Sequence, residues 1–145
     1  MALSAAKELE MRNPEFICSR PVAANAKIYK GGIVMWHATT GDIIPGADSS
    51  GGYFAGIACE TVDNTGGVSG AKRVNVWTSG EFRLTGVSLA LADVGHMVYI
   101  YDDAACTDAT GATNDQPIGI MVEWLSATDA WIRINLPAAP AAASS

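Results

Sequence analysis

Apolar and polar residues alternate along this chain in short runs broken by glycine. Arg73-Val74-Asn75-Val76-Trp77 has a period of two, and so has Glu81-Phe82-Arg83-Leu84. In the run Trp131 to Leu136, Ile132, Ile134 and Leu136 share one face, and Trp131, Arg133 and Asn135 share the other. Side chains of a strand point to opposite faces in turn, so this period predicts half-buried strands. Ile33 to His37, Phe54 to Val62, Met97 to Tyr101 and Ile118 to Leu125 add further strand candidates rich in β-branched and aromatic residues. Thr40-Gly41-Asp42, Pro45-Gly46 and Asp63-Asn64-Thr65-Gly66-Gly67 punctuate them with turn chemistry. Ser79-Gly80 between two alternating runs predicts a hairpin. The one internal helix candidate, Ser88 to Val94, is a turn or two long. About seven short strands spaced by turns predict an all-β domain, a small antiparallel barrel or a sandwich.

The ends of the chain differ from this middle. Residues 1–24 lack strand-like alternation and are expected to form an extended N-terminal arm that must find a surface to lie on. Within it, Ala2 to Arg12 is rich in helix formers and predicts a short helix, stopped by Pro14 and Pro21. The β-domain is expected over 25–136, and 137–145 reads as a Pro/Ala-rich low-complexity tail.

Charge narrows the function classes. Among 145 residues, 9 Lys and Arg stand against 15 Asp and Glu, a net charge of −6. Such a chain repels phosphate backbones, so no nucleic-acid partner is expected. Hydrophobic residues are 49% and charged ones 17% of the chain, which excludes a charge-solvated disordered protein. It also leaves a largely neutral surface that costs little to desolvate in an assembly. No apolar run approaches the roughly 20 residues that span a bilayer, so no membrane partner is expected. Lys7, Glu8, Glu10, Arg12 and Glu15 break any signal-peptide core, and synthesis in the cytoplasm follows. Cys18, Cys59 and Cys106 form no CxxC and no zinc pattern. Three independent thiols are expected, one disulfide with a free thiol being the alternative.

Catalytic chemistry finds little footing. The two histidines, His37 and His96, sit at strand ends, and no G-x-S-x-G elbow is present. Cys59 sits in an apolar run, where a small buried hydrophobe is the usual role. Asp102 and Asp103, with Asp108 and Asp115, read as a solvated acidic loop. Their spacing fits neither a glycosidase pair nor a calcium loop, an adventitious or interface cation being the alternative. Gly66 to Arg73 lacks the Gly-Lys-Ser/Thr of a phosphate loop and leads into a strand, so it reads as a hairpin loop with basic residues at its exit. The chain is therefore expected to be no enzyme, with no cofactor and no metal. Trp77 and Trp131 share faces with polar residues. They are candidates for partial core, for a protein interface, where Trp and Arg are enriched, or for a sugar platform. The candidate interface residues are Phe16, Ile17, Arg20, Trp77, Arg83, Trp131 and Arg133.

The order of motifs then carries a resemblance. A Gly-rich first strand precedes Gly56-Ile57-Ala58, a "G-x-A" strand. Val76 to Leu84 has the form "V-x-x-x-G-x-F-x-L", and Leu91 to Asp102 ends in "G-x-x-V-Y-x-x-D". Pro117 to Val122 and a closing Trp-Ile-Arg-Ile-Asn at Trp131 to Asn135 complete the series. Over about residues 27 to 136 the chain resembles the capsid cement, or head decoration, proteins of tailed bacteriophages. The resemblance implies a β-barrel-like or β-tulip-like domain. It implies a structural virion protein on the exterior of the expanded capsid, bound to the major capsid protein as a homotrimer at three-fold or quasi-three-fold sites. The longer arm and the Pro-Ala tail depart from the minimal pattern. The arm is left to bind the shell, a neighbouring subunit, or both. The alternative reading is a carbohydrate-binding module or another virion part of fibre, tail or neck.

Overall fold

The computed structural model describes residues 3, 5–7, 9–12, 16–108, 114 and 116–135. Their strands are β1 Met11–Arg12, β2 Ile17–Pro21, β3 Lys27–Ile28, β4 Ile33–His37, β5 Ile43–Pro45, β6 Gly52–Ala58 and β7 Val62–Asp63. They continue with β8 Arg73–Trp77, β9 Ser79–Val87, β10 Met97–Ile100, β11 Ala105–Thr107, β12 Pro117–Ser126 and β13 Asp129–Asn135. A single 3-10 turn, Leu91–Asp93, is the helical element among them. Leu136, Asp115 and the tail 137–145 lie outside the described residues.

The fold is all-β and holds a closed barrel. β9 pairs with both β11 and β13, so β9, β11, β10, β12 and β13 form a ring of five strands. The β9–β11 ladder is parallel and the other ladders of the ring are antiparallel. β1 adds to β9 with Met11 opposite Phe82 and Arg12 opposite Glu81. The second sheet runs β2-β8-β6-β4-β5 and is antiparallel throughout. A parallel bridge from Val22 to Ile43 joins its two ends.

Two strands belong to two cores. Ile33 and Met35 of β4 and Phe54 and Ile57 of β6 pack with Phe82, Leu84, Val98, Ile100, Ile118, Met121, Ile132 and Ile134 of the barrel. Val34, Ala55 and Ala58, from the same two strands, pack the other way with Val22, Ile28, Ile43, Val74 and Val76. This explains why Ile33-Val34-Met35 is continuously apolar rather than alternating, since a strand covered on both faces needs no polar side. The half-buried strands keep their alternation, as in β13, where Ile132 and Ile134 are buried and Arg133 is exposed.

Four expectations are corrected. β8 and β9 form no hairpin, because the chain leaves one sheet for the other at Thr78. Ser79 and Gly80 are ladder residues opposite Asn135 and Ile134. The φ of Gly80, 127°, serves a bend within the strand, so its glycine was a corner signal and not a turn signal. The described part of Ala2 to Arg12 contains no helix. Leu9 and Met11 pack on the larger core with Glu10 between them, a strand period that tertiary contact imposes over helix propensity. The stretch read as a loop around Asp102 to Asp108 contains β11, whose Ala105, Cys106 and Thr107 are all buried. The expected arm, 1–24, also includes β2, a full member of the second sheet.

Phe82 is the largest fully buried side chain. Phe82→Ala is expected to lower the free energy of unfolding by about 3–5 kcal/mol in a urea titration, through lost transfer energy and the cavity left behind.

Candidate interaction surface

The arm lies on its own domain. The Lys7 N–H donates to the Lys30 carbonyl at 2.6 Å, and the Arg83 N–H donates to the Glu10 carbonyl at 2.9 Å. The Leu3 N–H donates to Asp103 Oδ1 at 2.9 Å, and Lys7 Nζ donates to Thr85 Oγ1 at 2.6 Å. Gly31 and Gly32 form the seat. A Cβ at Gly31 would stand 2.0 Å from the Lys7 carbonyl oxygen, and one at Gly32 would stand 2.9 Å from Leu3 Cδ1. The φ of Gly31, 82°, independently favours glycine. Two charges at the seat are perturbed. Burial lowers the pKa of Lys7, against the attraction of Asp129 and Asp102. Burial raises that of Asp103, and the neighbouring Asp102 adds to the rise. Asp103, only 6% exposed, is thus not the solvated loop residue expected.

The seven candidate interface residues fall into two groups on different sheets. Arg83, Trp131 and Arg133 share the outer face of the barrel. Trp131 stands directly opposite Arg83, and Arg133 opposite Glu81. Arg83 grips Asp129 through Nε at 2.8 Å and also through Nη2, and reaches Glu10 through Nη1 at 2.8 Å. Arg133 pairs with Glu81 through Nε, at 3.1 Å, and Nη2. These arginines are therefore spent within the chain, and they fasten the arm at Glu10, β9 and β13 across the face.

Phe16, Ile17, Arg20 and Trp77 lie on the second sheet. Phe16 and Ile17 are 58% and 60% exposed at the start of β2. Arg20 lies over the Trp36 ring at 5.1 Å. Trp77 is half-buried against the larger core, with its ring 5.8 Å from that of Phe82. The partial-core reading thus describes Trp77.

A third surface feature was not singled out in the sequence. The segment Leu89 to Met97 runs antiparallel beside β12. The Leu89 N–H donates to Ala127, the Gly95 N–H donates to Met121, and Met97 stands opposite Ile120. Leu91, Val94 and Met97 from one side and Ile120 and Leu125 from the other are exposed along this ribbon. Its signal was weak, because in the sequence those residues are scattered singly among Gly, Ala and Glu.

Groups with catalytic potential are held in local structure. His37 Nδ1 accepts from the Thr39 and Thr40 N–H groups at 3.1 and 3.2 Å, within the turn to β5. Asp42 in the same turn is buried, yet its pKa is lowered, because hydrogen bonds from Ser69 and Thr40 outweigh the cost of burial. Burial pushes the Cys59 thiol up to about 11 and the Cys106 thiol up to about 12, so neither is a ready nucleophile. The three thiols are free. Among the described residues no group of three or more His, Cys, Asp or Glu is placed to hold a metal ion. Comparison with protein-family models, curated proteins and solved structures gives no match to this chain.

Two outcomes are expected at the arm seat. Gly31→Ala should release the arm, so that the Lys7 and Arg83 amides lose protection in hydrogen exchange while those of β12 and β13 keep it. Asp103 is the second test. Its folded pKa lies above the ordinary 3.8, so the folded state holds the proton more tightly. Its favourable contribution is complete below that ordinary value and is lost as pH rises through the folded value. Asp103→Asn should therefore stabilise the protein at neutral pH, and the gain should vanish in urea titrations run below about pH 3.5.

Proposed function

We propose that this chain is a structural virion protein, a cement or decoration protein that binds the outside of the expanded head of a tailed bacteriophage and stabilises the shell. The observation that carries the assembly role is the ribbon of exposed apolar side chains formed by Leu91, Val94, Met97, Ile120 and Leu125. Exposed apolar side chains on paired segments, as Met97 and Ile120 are, suit a surface that another protein covers. The low charge density supports the same reading, since 17% charged residues leave wide areas that are cheap to desolvate. The capsid assignment rests on the ordered motifs that resemble the cement proteins. The family-forming residues in those motifs have structural uses here: Phe82 and Leu84 fill the core, and Gly95, with φ 85°, turns the chain into β10.

The mechanism needs no reacting group. A protein that binds one shell state more tightly than another stabilises that state by mass action. Modest contacts repeated over a lattice add up through multivalency. On this reading the partners are the major capsid protein and two further copies of this chain around each three-fold or quasi-three-fold position, on the capsid exterior.

Co-sedimentation with DNA-free heads of the source phage, stripped of their own decoration, tests this. Saturable binding to expanded heads, at a stoichiometry set by the three-fold sites, and none to unexpanded heads is the expected result. Absence of binding to both forms would overturn the reading and direct attention to tail assemblies and glycans.

A further inference from the structure

Two arginines converge on an open strand edge. The Phe16 carbonyl accepts from the Thr78 N–H, and the Val22 N–H donates to the Lys72 carbonyl, so the even-numbered residues of this stretch bond toward β8. Antiparallel alternation turns the main-chain groups of Ile17, Ser19 and Pro21 the other way. Among the described residues no strand pairs with β2 on that side before Val22 bridges Ile43. At this edge the Ser19 carbonyl accepts from Arg73 Nη2 at 3.0 Å and from Arg20 Nη1 at 3.3 Å. Ser19 Oγ accepts from Arg73 Nε at 2.9 Å.

Neither guanidinium bonds a carboxylate among the described residues, whereas Arg83 and Arg133 both do. Carboxylates are not scarce in a chain of net charge −6, so composition does not explain the difference. Two cations sharing one neutral carbonyl repel each other, and Arg20 Nε meets no acceptor among the described residues. The Trp36 ring holds the Arg20 guanidinium in place, which reduces the ordering needed for a planar acceptor to bind. Phe16 and Ile17, both more than half exposed, lie at the start of the same strand as Arg20.

We infer that the Phe16–Pro21 edge docks a short extended segment of a partner protein, whose carboxylate bridges Arg20 and Arg73 and whose apolar side chains cover Phe16 and Ile17. Peptide fits better than nucleic acid. The edge offers the main-chain groups of Ile17 and the Ser19 N–H, which suit strand addition, and the chain's net charge repels a polyphosphate. The added strand is short for a stated reason: Pro21 has no N–H, and the edge closes on β5 at Val22. The inference does not depend on the partner being a shell protein. Where it is one, the acidic extended segment belongs to the shell.

The test uses the full chain and a blocked peptide of alternating valine and threonine with one central glutamate, followed by amide and arginine Nε resonances in NMR. Saturable shifts at Ile17, Ser19, Arg20 and Arg73 are expected. Binding should weaken about tenfold when the glutamate is replaced by glutamine, and similarly in Arg73→Gln, as the loss of a charge-assisted pair predicts. The glutamine peptide leaves the protein unaltered, so a folding defect cannot imitate this result. Equal binding of both peptides, shifts that do not saturate, or the same shifts produced by a single-stranded oligonucleotide would each overturn the inference. None of these outcomes bears on head binding, which co-sedimentation decides separately.

Discussion

β4 and β6 are the wall between two cores, and the rest of the molecule depends on that wall. Their side chains must satisfy close packing on both faces at once. One face takes the large residues Ile33, Met35, Phe54 and Ile57 against the barrel, and the other takes Val34, Ala55 and Ala58 against the second sheet. A dense interior has little slack, so a change on one side of such a wall is felt on the other. The barrel contributes Phe82, Ile132 and Ile134 to the first core, and β8 contributes Val74 and Val76 to the second. The passage at Thr78 lets one length of chain, from β8 into β9, serve both.

The charges of the surface are distributed unevenly. On the barrel face, Arg83 and Arg133 are matched to Asp129, Glu10 and Glu81, and they tie neighbouring strands together. On the edge of β2, Arg20 and Arg73 bond the carbonyl and hydroxyl of Ser19, Arg20 lies over Trp36, and neither meets a carboxylate among the described residues. Exposed pairs such as those on the barrel face contribute modestly to stability. Their larger consequence is that they leave little free charge on that face, while the β2 edge retains it.

The arm shows the same economy of contacts. It is held mostly through main-chain groups, at Lys7, Glu10, Met11 and Arg12, and its seat exists because Gly31 and Gly32 carry no side chain. Lys7 is brought into a partly dehydrated setting by that docking, and Asp103, itself buried, accepts the Leu3 N–H. The lowered pKa of Lys7 records the cost of its burial, while the Leu3 N–H opposes the rise that burial and Asp102 impose on Asp103.

Much of the strand content was legible in the sequence. Half-buried strands announce themselves by period two, and β8, β9 and β13 were read from that alternation. The all-β class followed from such runs and from the glycines between them. What sequence could not decide was pairing. Ser79-Gly80 has the chemistry of a hairpin turn and of a strand bend alike, and only the location of a second core at Val74 and Val76 makes it a bend. Leu9 and Met11 have helix propensity when read locally, yet both pack on the apolar core and Met11 joins a strand because β9 offers an unpaired edge beside it. β11 was lost among small and acidic residues, since burial between β9 and β10 comes from distant partners. The candidate interface was legible as a set of residue types and not as a surface. Composition named the arginines and the tryptophans. The tertiary structure alone decided which arginines meet a carboxylate and which do not, because that depends on cross-strand register, a long-range property that no local pattern encodes.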